Sequence, residues 1–156
     1  MKLSDLLFSW EPPPDWETRV QVTFVAPPVH EHGLPATQEQ VSAPRRNVVI
    51  SRVPTELPSA LKACEEFLDQ TTKAVPQFES KEIDRKFPFD DDVVGVSVEV
   101  TFPATPQVRL IQLHGFRIDN GILTQLVATF AESEEVHRQE ELKARVKKFR
   151  SDRTRP

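Results

Sequence analysis

The chain has 156 residues, 38% hydrophobic and 28% charged, with a formal net charge of −4 and a pI near 5.6. That composition fits one globular domain that buries roughly 70% of its unfolded surface. The acidic balance argues against a nucleic-acid binder, which needs a basic face to displace counterions. One cysteine, Cys64, leaves no partner for an intrachain disulfide. No apolar run approaches the ~18 residues of a membrane span. Met1-Lys2-Leu3-Ser4-Asp5 lacks the apolar stretch of a secretory signal, so the expectation is a soluble cytoplasmic protein.

Residues 3–10 read as a short edge strand stopped by Pro12-Pro13-Pro14, with Trp16 placed to pack over the sheet edge. Val20, Val22 and Phe24 alternate with Gln21 and Thr23, the period of a strand. Residues 27–46 are rich in proline and polar side chains, without periodicity, and read as a long exposed loop. A strand follows at 47–52. Val48, Val49 and Ile50 are apolar on both faces, which implies that both faces are covered. Residues 55–75 read as a helix, with Thr55 as N-cap and Pro58 in the first turn. Leu57, Ala60, Leu61, Cys64, Leu68, Thr71 and Val75 form its apolar stripe, with Phe67 at the edge. Pro76 ends it. Residues 78–87 read as another strand, and 87–92 as a turn.

The densest strand signal lies at 93–130. Val96, Val98, Val100 and Phe102 alternate with Ser97, Glu99 and Thr101. The prolines at 103 and 106 are expected to break the ladder, and a second strand follows at 108–118. Asn120-Gly121 then predicts a two-residue type I′ hairpin into a return strand at 122–130. The last helix spans 134–150, acidic first and basic after, in accord with the helix dipole. Glu134–Arg138 and Glu141–Arg145 are i,i+4 pairs, and Leu142, Val146 and Phe149 make a docking stripe. Residues 151–156 form a polar tail, expected to fray. The whole chain, 1–156, thus reads as a single α+β domain: an antiparallel sheet with two main helices.

Chemistry is sparse. His30-Glu31-His32 offers two metal ligands where a site needs three or four. Asp90-Asp91-Asp92 lacks the glycine and bidentate glutamate of a calcium loop. Cys64 sits on a buried helical stripe, where cysteine behaves as a small hydrophobe rather than as a nucleophile with His114 or His137. No phosphate loop, Rossmann fingerprint or Gly-x-Ser-x-Gly is present. The expectation is therefore no enzyme, no metal and no cofactor. Leu110, Gln112, His114 and Phe116 alternate with Ile111, Leu113 and Gly115, and both sets are largely apolar. Two helices suffice for one sheet face. The other is left for a partner, a second subunit or the 27–46 loop.

Trp16, Val20-Gln21-Val22, Asn47-Val48-Val49-Ile50-Ser51-Arg52, the helix ending at Pro76-x-Phe78, Gln112 and Gly121-Ile122-Leu123-Thr124 form a recognisable set. Together they resemble the DcrB-like family, and most closely its Eag chaperones of bacterial type VI secretion effectors. The resemblance covers most of the chain from Trp16 to Phe149. It implies a PsbP-like α+β fold, a homodimer and a non-enzymatic function. Such chaperones hold the hydrophobic N-terminal transmembrane segments of an effector in an apolar sheet groove before export. Carried over by position, Val20, Val22 and Val49 would line that groove, with Gln112 as a polar contact and His114 as a second candidate. A one-residue slip of the first strand would present Gln21 and Thr23 instead. The alternative within this fold is a structural or hydrophobic-ligand-binding module with no transmembrane-helix client.

Overall fold

The computed structural model describes residues 20–26 and 44–150. The expected edge strand at 3–10, Trp16, most of the 27–46 loop with His30 and His32, and the tail at 151–156 lie outside the described residues. Seven strands and two helices follow in order: β1 (Val20–Val25), β2 (Asn47–Pro54), α1 (Ala60–Ala74), β3 (Glu79–Ser80), β4 (Asp84–Pro88), β5 (Val94–Thr105), β6 (Val108–Asp119), β7 (Ile122–Ala131) and α2 (Val136–Lys147). The strands form one antiparallel sheet in the order β1-β2-β7-β6-β5-β3, with β4 also pairing β5. The fold is α+β, as the alternation and turn signals predict.

The central meander forms because each strand alternates and each turn suits its residues. Asn120 and Gly121 adopt φ of 51° and 72°, the positive values that a type I′ hairpin demands. The prolines beyond Phe102 do not end β5. Pro103 still pairs Arg109, and the register shifts between Pro103 and Thr105, an irregularity that absorbs the missing donor. The strand expected at 78–87 is two short ones. β3 and β4 pair β5 separately, at Glu79↔Thr101 and Asp84↔Ser97.

Helix α1 starts later than expected. Ser59, not Thr55, is the N-cap, and its hydroxyl accepts from the Lys62 N–H at 3.1 Å. Thr55 instead closes a local turn by accepting from the Leu57 N–H. Pro58 thus precedes the cap rather than occupying the first turn. Helix α2 ends at Lys147 but keeps its expected stripe, with Leu142 and Val146 buried. Of the two expected i,i+4 pairs, Glu141–Arg145 forms at 2.7 Å. Glu134 pairs Arg46 at 3.1 Å instead.

The helices lie on opposite faces of the sheet, not on one. Helix α1 packs on β5 and β6, where Ala63 and Cys64 meet Val96, Val98, Val100 and Phe116. Helix α2 packs on the reverse, where Leu142 and Val146 meet Ile111, Leu113, Leu126, Ala128 and Phe130. Each large apolar side chain so buried contributes about 1.5–3 kcal/mol. Glu99 ties α2 to β5 through Lys143 at 2.8 Å and also takes Lys81 at 2.6 Å. Burial alone would raise its pKa, but bonds and charges from the two lysines hold it below the usual value.

Candidate functional site: the open half of one sheet face

Residues directly opposite in an antiparallel pair point to the same face, so register assigns every side chain. Three rows cross the α1 face. The middle row is Thr23, Val49, Val127, His114 and Val98, from β1 through β2, β7 and β6 to β5. One flanking row is Val25, Asn47, Thr129, Gln112 and Val100. The other is Gln21, Ser51, Gln125, Phe116 and Val96. Helix α1 covers the β5–β6 end of these rows, together with Leu123 at the start of β7. Among the described residues, the main helix packing on this face is α1 on β5 and β6, with no comparable helix packing over its β1–β2 end.

The expected groove set therefore divides. Val49, Gln112 and His114 share this face. Val20 and Val22 do not: they point to the α2 face, in rows with Arg52 and Ile50. The correction follows from the period of two, because a one-residue difference in register exchanges the faces of a whole strand. Gln21 and Thr23, the slipped alternative, are the β1 side chains beside Val49. The open half is also less apolar than a groove for bare hydrocarbon. Val25, Val49 and Val127 stand among Gln21, Thr23, Asn47, Ser51, Gln125 and Thr129.

A chain of polar side chains marks the border between the covered and open halves. Gln125 Nε2 lies within hydrogen-bond distance of His114 Nδ1 at 3.1 Å, and His114 Nε2 within hydrogen-bond distance of Gln112 Oε1 at 2.9 Å. Gln112 Nε2 in turn donates to Thr129 Oγ1 at 3.1 Å. His114 is 4% exposed and lies under the Phe67 ring of α1, centroids 4.2 Å apart. Burial pulls its pKa from 6.5 to about 4, so the imidazole is neutral at ordinary pH. Gln125 and Thr129 were not singled out from sequence, although a signal for both exists. A two-residue turn at Asn120-Gly121 pairs Asp119 with Ile122, and counting outward sets Gln112 opposite Thr129.

The α2 face carries a different feature. A cleft of about 290 Å³ lies between the β1–β2 edge and α2, lined by Phe24, Val48, Leu142, Arg46, Glu141 and Arg145 among others. Deeper on that face, Arg117 is fully buried and donates to both Asp91 oxygens at 2.7 and 2.8 Å. Its guanidinium also lies 5.3 Å from the Phe89 ring and 5.4 Å from Phe149. Asp91 thus serves a structural ion pair. Cys64 is buried and its thiol is pushed up to about 11 by burial and by Glu65, the reverse of an activated nucleophile. Among the described residues no group of three or more His, Cys, Asp or Glu could hold a metal. No described helix is long and apolar enough to cross a membrane.

No family model matches the chain, and no curated protein sequence matches it. In structure the chain is similar to PA94, a Pseudomonas aeruginosa protein of unknown function described as a candidate regulator. The two share 15% identity with a TM-score of 0.69, over 99% of this chain and 96% of that one. A likeness at that identity shows the fold alone.

Proposed function

We propose that the protein is a non-enzymatic chaperone or adaptor of the DcrB-like, Eag-chaperone kind. Its client is a type VI secretion effector, whose hydrophobic N-terminal transmembrane segments it shields in the cytoplasm before export. It acts as a homodimer in this reading. One observation supports the site: the half-face around Val49 and Val127 has no main helix packed on it among the described residues, and these two valines lie only partly buried between amides and hydroxyls. A transmembrane helix left in water exposes apolar surface at roughly 25 cal/mol per Å². Helices that pack in membranes also present small residues and hydroxyls that seek polar partners. A surface of spaced valines with Gln112, Gln125 and Ser51 among them suits such a helix better than it suits plain hydrocarbon.

The test uses the division between the two faces. Val49→Asp puts a charge in the middle row and should abolish co-purification with an effector's hydrophobic N-terminal fragment. Val20→Asp puts the same charge on the other face, at a position 50% exposed, and should leave capture in place. Thermal melts of both variants check that each is folded. Full capture by folded Val49→Asp would remove this face as the client site. Loss of capture in both variants would point to a requirement for the β1–β2 pair as a whole rather than for one face.

A further inference from the structure

We propose that His114 is a positioning residue that gives two glutamines opposite polarity on the open half-face. The inference deepens the proposed function and takes its client from that reading. The argument is one of donors and acceptors. A neutral imidazole has one nitrogen that donates and one that accepts. His114 Nδ1 accepts the Gln125 N–H, which leaves Nε2–H to donate to Gln112 Oε1. Gln125 has thereby committed its amide nitrogen, and its carbonyl accepts no hydrogen bond among the described residues. Gln112 has committed its carbonyl, and its amide keeps one N–H beyond the bond to Thr129. Both glutamines are half-buried on the α1 face. A bound helix therefore meets an acceptor at Gln125 and a donor at Gln112. The matching client groups are a serine or threonine hydroxyl at the first and a main-chain carbonyl at the second. His114 itself, under Phe67, is not the contact.

The reverse polarity is also self-consistent: Thr129 donating to Gln112, Gln112 to Nε2, and Nδ1–H to Gln125. That makes the tautomer the deciding observable. Nitrogen NMR of the full chain at neutral pH should show His114 protonated at Nε2 and bare at Nδ1. An Nδ1–H signature would overturn the assignment. In folded His114→Phe, which keeps a ring against Phe67, side-chain amide exchange at Gln112 and Gln125 should quicken at least tenfold. Unaltered exchange would show that the glutamines are oriented without the histidine.

Binding supplies the second arm, with two synthetic leucine–alanine helices that differ by one serine for alanine. Wild type should prefer the serine peptide about fivefold, the equivalent of ~1 kcal/mol. His114→Phe should lose that preference, and a preference retained would sink the positioning role. Capture of neither peptide by wild type would count against the chaperone reading, while the tautomer would still decide the histidine's part.

Discussion

Burial of a single imidazole makes stability depend on pH. His114 has a pKa of about 4 in the folded chain against 6.5 when free, because burial disfavours its charged form. Between those values the unfolded state binds more protons than the folded one, so stability rises with pH across the window. The contribution is complete above about 6.5 and is lost as pH falls toward about 4. Its size is on the order of 3 kcal/mol. Denaturant titrations from neutral pH down through this window should show wild type losing more stability than His114→Phe. Parallel losses would acquit His114 as the source. The residue was visible in the sequence as an isolated polar group in an apolar strand, but its environment was not. Nothing in the run Leu110–Phe116 states that Phe67 closes over it, since that contact joins positions that only the fold brings together.

Elements were legible where a local signal fixes them and obscure where the connection is long. The meander β5–β6–β7 could be read because alternation and the Asn120-Gly121 turn set both identity and register. Strand β1 could be found but not oriented. Twenty-one residues, 26–46, separate it from β2, so no tight turn sets which of its faces meets Val49. The placement of α1 and α2 on opposite faces was equally hidden, because both carry an apolar stripe and either face of the sheet could receive it.

The segment after α2 is anchored in part by a charge that composition alone would assign to the surface. Arg117 is buried beneath Phe149 and bonded to Asp91, which joins the segment after α2 to the β4–β5 turn. Gly115 and Gly95 leave the room: a Cβ at Gly115 would press on Val146 at 3.2 Å, and one at Gly95 would collide with the Phe116 carbonyl oxygen. Arg117→Met keeps the apolar stem and deletes the charge. Removing one partner of a buried pair costs about 3–5 kcal/mol. Urea unfolding should show a loss of that order, and NMR a weakened signature of ordered residues 146–150. A loss under about 1 kcal/mol would mark the pair as peripheral.

At the scale of the whole molecule, stability is distributed unevenly across the sheet, and the proposed site lies at its weak end. β5, β6 and β7 are hydrogen-bonded on both sides and carry the cores of both faces. β1 is bonded to β2 alone among the described strands, with Val20, Phe24 and Val25 about half exposed. Local opening is cheapest where few apolar contacts are buried. Native-state hydrogen exchange should therefore find β1 fastest, β2 intermediate, and β6 and β7 near the global limit. Binding of a hydrophobic helix to the Thr23–Val49–Val127 row adds stability only to states in which that row is assembled. A serine-bearing helix peptide should slow exchange most in β1 and β2, and little in β3 and β4 on the far side of the meander. Uniform slowing over all strands would instead mean that the peptide stabilises the fold globally, and slowing confined to β3 and β4 would move the client to the opposite edge. The pattern tests geometry and energetics together, because a ligand seated at the β1–β2 end couples to the opening of the first two strands while leaving the β3–β4 edge free to exchange, and the same measurement on Val49→Asp separates the open half-face from the cleft on the α2 face.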